Sequence, residues 1–388
     1  MVNLPRLEAR PAPSAAMTLL SPLAALAATV LAGGVLLGLL GQPPLEALRV
    51  YFISPFTDAY SRAELAVKAI PLALIGAGLA VSFRANVWNI GAAGQYTLGA
   101  ICSGAMALYA PEAAEGGGWL LLYLLAGVLG GMLWGAIPAW LATRFRTNEI
   151  LVSLMLTYVA ALLLDWLVRG PWRDPAGFGF PQSADFGAAF IMPVLVEGTR
   201  LHFGLVLAVM VALVLGGVMA LSLRGFSLRV IGTAPQAAAF AGFSRSGAVW
   251  FAFLLSGGLA GLAGAIEVSA TVQQLQPDIS ASYGFVAIIV AFLGRLNPVG
   301  ALFGAVVLAV SYIGGENAQI ELGLPRNATG LFQGLLLFFL LAADTLIRYR
   351  VAFGAAPGAE ALERARRAAA GEAQEDAPPA GARGGMGS

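Results

Sequence analysis

Ten apolar runs divide this chain, at about 19–41, 63–83, 94–110, 119–143, 150–169, 201–223, 248–268, 284–294, 299–315 and 329–347. Most approach the ~20 residues that a helix needs to cross a bilayer's hydrocarbon core, so hydropathy places one membrane helix in each. The run at 284–294 is short and ends at Arg295-Leu-Asn297-Pro298-Val-Gly300. The second and third runs meet in a similar way, at Arg84-Ala-Asn86-Val-Trp88-Asn89-Ile-Gly91-Ala-Ala-Gly94-Gln95. Glycine- and asparagine-interrupted apolar segments in corresponding positions point to broken helices around a solute path. The expected fold is an all-α polytopic integral membrane protein of about ten transmembrane helices, some short or broken.

The arginines orient it. With the N-terminus inside, Arg6, Arg10, Arg84, Arg144, Arg146, Arg224, Arg229, Arg245, Arg295, Arg348 and Arg350 fall on the cytoplasmic side. Arg49, Arg62, Arg169, Arg173, Arg200 and Arg326 fall outside, with most of the loop acids. The positive-inside rule then favours N-in, C-in. Residues 1–18 read as a cytoplasmic N-terminal segment and 19–350 as the transmembrane domain, with a cytoplasmic loop at 224–247. The first run is too long for a signal-peptide core, and Gln42-Pro-Pro-Leu-Glu is no small-residue cleavage site, so it reads as an uncleaved span. The Ala-, Gly- and Pro-rich stretch 351–388 reads as a disordered cytoplasmic tail. The outside loop 170–200 is long enough to form a cap or receive a partner.

Composition agrees: 59% of the 388 residues are hydrophobic, 11% are charged, and mean hydropathy is +0.80. Soluble domains carry about 25% charged residues. Lys68 is the one lysine and Ala69 follows it, so the chain has no G-x-x-x-x-G-K-[ST] phosphate loop. Energy from ATP would have to come through a partner. One cysteine, Cys102, and one histidine, His202, exclude an intramolecular disulfide and a multi-Cys metal site, and make a metalloenzyme or Ser-His-Asp hydrolase improbable. Cys102 reads as a small apolar residue and His202 as interfacial.

Asn89 and Gln95 are polar where the chain otherwise favours a membrane, and irregular backbone at membrane depth is tolerated only inside protein or along a watery cavity. Both read as lining a solute path, with Trp88 and Tyr158 as stacking or gating groups and Asn297 as a further lining residue. A tight turn with close helix packing explains the glycines equally well. Small-xxx-small pairs at Gly34/Gly38, Gly131/Gly135, Gly257/Gly261 and Gly300/Gly304 read as helix contacts. Thr147 or Asn148 caps the helix that follows, Glu149 sits at its positive end, and Asn148 with Glu149 has a rival role as a cytoplasmic gate. Asp165 and Arg169 are spaced to pair, as are Glu64 and Lys68. Lys68, Glu267 and Glu316 fall near span ends, so the deep interior lacks the carboxylate relay of a proton-coupled pump. Asn317 and Gln333 are weaker pore-lining candidates.

Within the 224–247 loop, Pro235–Ala241 can make about two helical turns, with Thr233 as cap, Pro235 in the first turn and Gly242 as the C′ stop. A small, Ala-faced helix on the positive side suits docking by another protein.

Three segments, Asn89-Ile-Gly-Ala-Ala-Gly-Gln95, Asn148-Glu-Ile-Leu-Val-Ser-Leu-Met-Leu-Thr-Tyr158 and Gly232-Thr-Ala-Pro-Gln-Ala-Ala-Ala-Phe-Ala-Gly242, come in order across roughly residues 50–350. In this the chain resembles permease subunits of bacterial ABC importers, in the branched-chain amino acid and simple-sugar permease family, and most of all the nucleoside-type members. The resemblance implies a permease dimer, of identical or related subunits, in the bacterial inner membrane among its lipids. It further implies two cytoplasmic ATPase subunits that bind the ATP, an external solute-binding protein, and no cofactor in this chain. Neither nucleic-acid binding nor enzymatic activity is expected. Gly232, Pro235, Gln236, Ala237, Ala238 and Gly242 would belong to the coupling helix that enters the ATPase. Two positions depart from the family pattern: Ala93 replaces a glutamate and Thr157 an asparagine. The expected cargo is a nucleoside, related purine or simple sugar. Branched-chain amino acid import on the same architecture is the alternative, with ion-coupled secondary transport and a membrane-embedded enzyme as more distant rivals.

Overall fold

The computed structural model describes residues 6–9, 15–39, 41–111, 114–279, 282–325 and 327–352. Its helices run in the order α1 (Ala15–Leu39), α2 (Pro44–Phe52), α3 (Ala59–Arg84), α4 (Ala92–Leu108), α5 (Gly117–Phe145), α6 (Glu149–Arg169) and α7 (Gly204–Leu221). Then follow α8 (Leu223–Thr233), α9 (Pro235–Phe240), α10 (Arg245–Glu267), α11 (Tyr283–Leu293), α12 (Pro298–Leu322) and α13 (Asn327–Arg348). Each of the ten apolar runs is met by a helix. Seven of these, α1, α3, α5, α6, α7, α10 and α12, are long and apolar enough to cross a membrane; α4, α11 and α13 are shorter or less apolar.

Two helices lie where the sequence reading expects loops. α2 has Pro44 in its first turn, Glu46 there as well and Arg49 in its last, and it buries Ala47, Val50 and Tyr51. α8 occupies the first half of the 224–247 loop, capped by the Ser222 side chain, which accepts from the Gly225 N–H at 3.1 Å.

The chain divides into two compact units, one of residues up to Ala24 and from Leu341 onward, the other Ala25–Leu340. In the first, strand β1 (Arg6–Ala9) pairs antiparallel with β2 (Tyr349–Ala352), Arg6 opposite Ala352 and Ala9 opposite Tyr349. This short ladder qualifies the all-α expectation and orders part of the two terminal segments. The expectations for residues 353–388 and Arg326 lie outside the described residues.

In the second unit α3 is central: 89% of its apolar window is buried, against 28% in each of α5, α6 and α7, whose outer leucines and valines face away from the protein. Alternating burial of this kind is expected where lipid, rather than water, solvates the periphery. α10 packs on α3, α4 and α5, while α12 packs on α2, α3 and α7. Small residues set the closest approaches. A Cβ on Gly131 would collide with the Gly257 carbonyl, and one on Gly261 with the Gly127 carbonyl, so α5 and α10 meet backbone to backbone. Gly304 sits against the Val290 carbonyl in the same way, and Gly34 and Gly38 take Leu48 and Pro44 of α2.

Two stretches of irregular backbone enter this packing. Residues 86–91 link α3 to α4, and 273–279 descend from a π-turn (Val268–Val272) that continues α10. The second stretch is held inside: Leu275 and Ile279 are buried, and the Tyr96 hydroxyl donates to the Ile279 carbonyl at 3.3 Å. The loop 170–200 forms a cap. Its Phe186 and Phe190 pack on Tyr123 of α5, Ser183 N–H donates to Leu275 O at 2.9 Å and Phe186 N–H to Gln273 O at 2.9 Å.

Candidate functional site

The first motif closes on itself. Asn89 Nδ2 donates to Gln95 Oε1 at 2.7 Å and to Ser256 Oγ at 2.8 Å. Gln95 Nε2 and the Gly91 N–H donate back to Asn89 Oδ1 at 3.1 and 3.0 Å. Both amides are 0% exposed. In this conformation they tie the α3–α4 link to α10 rather than lining open space, which corrects the path assignment for Asn89 and Gln95 in this state. Trp88 is half-buried, 5.0 Å from Phe83 and 6.2 Å from Phe292, with its indole N–H on Asn86 Oδ1. Thr157 and Gly94 lie at the α4–α6 contact, where a Cβ on Gly94 would meet Thr157 Cα at 2.8 Å.

Tyr158 is 58% exposed on the outer face of α6, away from this packing. Asn297 is exposed and caps α12, accepting from Val299 N–H at 3.0 Å. Neither Tyr158 nor Asn297 joins the Asn89–Gln95 cluster. Asn148, not Thr147, caps α6, accepting from Ile150 and Leu151 N–H, and Glu149 occupies the first turn. No ion pair joins Glu149 to an arginine among the described residues; what the structure supplies here is the capping role.

On the 224–247 loop, α9 forms where expected and Gly242, at φ +80°, stops it: Phe243 N–H bonds Ala238 O and Gly242 N–H bonds Ala239 O. That is a Schellman ending. Thr233 does not cap α9; its hydroxyl donates to Arg229 O and belongs to α8. Pro235, Gln236 and Ala237 are exposed. Ala238 is buried and joins the cluster of Leu228, Ile231, Ala248 and Phe253 beneath. Gly232 is likewise a packing residue, since a Cβ there would collide with the Arg84 carbonyl. What stands out from this surface is Phe240, 95% exposed. The sequence reading missed it because an aromatic amid alanines reads as core.

A second constellation gathers charges that the sequence scatters. Arg200 of the cap holds Glu64 of α3 in a two-pronged pair, Nε to Oε1 at 2.9 Å, and the neighbouring carboxylate raises the Arg200 pKa further. Lys68 pairs not with Glu64, as spacing predicts, but with Glu316 of α12 at 3.6 Å, and donates to the Tyr283 hydroxyl at 3.3 Å. Glu267 is buried close by at the end of α10. Asp165 and Arg169 pair as expected, at 2.7 and 2.8 Å. Beside Lys68 opens a polar cavity of about 630 Å³, walled by α3, α12 and α13. Its lining includes Lys68, Asp278, Tyr312, Glu316, Gln319 and Gln333. Of the expected lining residues only Gln333, one of the weaker candidates, belongs to it; Asn317 instead bonds Ser54. His202 is 1% exposed, and its burial pushes the imidazole pKa down to about 4. Cys102 is half-buried against Gly130.

Comparison with known proteins places this architecture. A glucose ABC transporter permease of Haloferax volcanii (TsgB13) is 34% identical over 341 residues, covering 85% of this chain and 89% of that protein. A guanosine ABC transporter permease of Bacillus subtilis (NupP) is 29% identical, covering 85% and 95%. A nucleoside ABC transporter permease of Lactococcus lactis (NupB) is 26% identical, covering 83% and 90%. Among solved structures, a metal-chelate type ABC transporter in an inward-facing conformation aligns with TM-score 0.43 and 17% identity, over 84% of this chain and 97% of that one. Residues 61–341, from α3 to the second half of α13, match one family throughout, and with its closely packed apolar helices the chain is a multi-pass membrane protein of the branched-chain amino acid transport system permease component family.

Proposed function

We propose that this permease is the membrane subunit of an ATP-driven importer in the bacterial inner membrane, and that α9 is where a cytoplasmic ATPase engages it. The observation that carries this is the outward face of α9. A six-residue helix with no independent stability is clamped from below by Ala238, ended by Gly242, and presents Gln236, Ala239 and Phe240 to the outside. Exposed aromatics anchored on rigid backbone are typical interface hot spots. ATP binding would draw two such permease subunits, identical or related, into one state and hydrolysis into the other. Differential docking of α9 in the two states shifts the equilibrium of the spans. An external solute-binding protein would deliver cargo to the side that bears the cap.

The ladder of β1 with β2 supports an even number of crossings, because it lays the two terminal segments side by side. Ten crossings, N-in and C-in, satisfy that parity and the arginine distribution. Relatives named for guanosine, nucleosides and glucose favour a nucleoside or simple sugar over a branched-chain amino acid.

The test is association. Phe240→Asp in the full chain, co-expressed with a candidate ATPase subunit that co-purifies with the unaltered chain, is expected to abolish co-purification and solute-stimulated ATP hydrolysis while membrane insertion is retained. Undiminished stimulation by this variant sinks the coupling role.

A further inference from the structure

The cavity beside Lys68 carries more than a transport pathway in general. Tyr312, Glu316 and Gln319 stand at i, i+4 and i+7 on α12, so one polar stripe of this helix faces this space. Polar side chains within membrane helices are costly unless satisfied or used. One of them keeps an open donor: Gln333 is 8% exposed and its Nε2 has no hydrogen-bond partner among the described residues.

We propose that this cavity is the cargo site and that it takes a neutral solute bearing adjacent hydroxyls, selected by Lys68, Glu316 and Gln333. The proposal rests on the transport reading above and names the site and chemistry within it. Lys68 and Glu316, 3.6 Å apart, cancel each other's charge. A hydroxyl can join such a pair without breaking it, accepting from the ammonium while donating to the carboxylate. An anion would compete with Glu316 and would meet Asp278 at the mouth. A zwitterion would have to split the pair to match both of its charges. Gln333 Nε2 offers a buried donor, which a ring oxygen, a hydroxyl or a purine nitrogen accepts. The half-buried Tyr312 ring gives a flat apolar surface beside that donor. A volume of about 630 Å³ lies inside the range of small-molecule pockets, ~300–1,000 Å³.

The experiment uses the full chain in lipid nanodiscs and saturation-transfer NMR. The probes are guanosine, D-ribose and D-glucose against GMP, D-glucose 6-phosphate and L-leucine. At least one neutral hydroxylated probe is expected to bind, with its phosphorylated counterpart about tenfold weaker or absent. Gln333→Leu and the near-isosteric Gln333→Glu, which removes the donor, are each expected to weaken binding about tenfold, the scale of one lost buried hydrogen bond. The double variant Lys68→Met/Glu316→Gln, which leaves the cavity's net charge unchanged, is expected to lose the preference for hydroxylated probes. Equal binding of L-leucine or of the phosphorylated probes overturns the proposal, as does unchanged binding by both Gln333 variants. Binding is read on the permease alone, so it fails separately from the ATPase test. No binding with intact ATPase coupling removes this cavity and leaves the importer; binding without coupling does the reverse.

Discussion

The amide pair of Asn89 and Gln95 makes a quantitative test of what the first motif does. Asn89→Leu removes both of its donors and its acceptor at once. Ser256 Oγ, the Gly91 N–H and both ends of the Gln95 amide are left facing a hydrocarbon side chain, in a place with no exposure to water. Each buried polar group stranded in this way costs about 1–3 kcal/mol. Ser256 keeps its bond to Ala252 O, and the Gln95 amide can relax, so the sum falls below the simple total. The expected loss is about 3–5 kcal/mol. Gln95→Leu strands only Asn89 and is expected to cost about 2–3 kcal/mol by the same rule. The double variant removes both amides, so it is expected to cost at least 1 kcal/mol less than the two singles added, because contacting groups do not contribute independently. SDS titration of the purified chain in mixed micelles supplies the free energies, with thiol-reactive dye on the lone, half-buried Cys102 as the unfolding readout. Additivity of the two singles within about 0.5 kcal/mol would refute the idea that these amides form a coupled lock between the α3–α4 link and α10.

Other expected outcomes follow from single contacts. His202 is neutral in the folded chain, with its pKa lowered from 6.5 to about 4 by burial, so the unfolded chain binds its proton first as pH falls. Stability should be insensitive to this group above pH 6.5 and drop by up to about 3 kcal/mol between 6.5 and 4. His202→Gln should flatten that part of the profile in thermal melts; an unchanged acid slope would contradict the assignment. Gly257→Val places a Cβ 2.6 Å from the Gly131 carbonyl oxygen and should abolish a monodisperse folded peak on size exclusion, whereas Gly217→Val, with open space around it, should not. Equal behaviour of the two would remove the α5–α10 backbone contact as the reason. Glu64→Gln should free Arg200 of the cap and speed tryptic cleavage after it several-fold relative to Arg173; an equal cleavage ratio would show that the ion pair does not hold the cap.

What the sequence disclosed depended on the range of the physics involved. Span positions were legible because a membrane imposes a length and a composition on each helix, and α5 at Gly117–Phe145 meets the expected 119–143 within two residues at each end. The α9 helix and its stop were legible because Pro235 and Gly242 act locally. α2 was not, although Pro44, Glu46 and Arg49 mark its ends, because nine half-polar residues show no membrane-length run. Glu64 lies nearest to Lys68 on the same helix, yet Arg200, 136 residues away, takes it. No local rule ranks such partners. The same limit hid the partnership of Asn89 with Ser256 and the meeting of Lys68, Glu316 and Gln333 around one cavity, which needs α3, α12 and α13 folded together.

The π-turn at Val268–Val272 carries a consequence of its own. A helix that takes one residue beyond its normal turn shifts everything after it by a single position, about 100° around the axis. Here that shift decides which way Gln273 and Leu275 face, and so whether their backbone meets the cap at Ser183 and Phe186. Deleting one residue from this turn would barely shorten the connection to α11, yet it would rotate the inserted segment away from both the cap and Tyr96. The turn works as a gear tooth: it sets the angular phase at which the outer half of the protein meshes with its core.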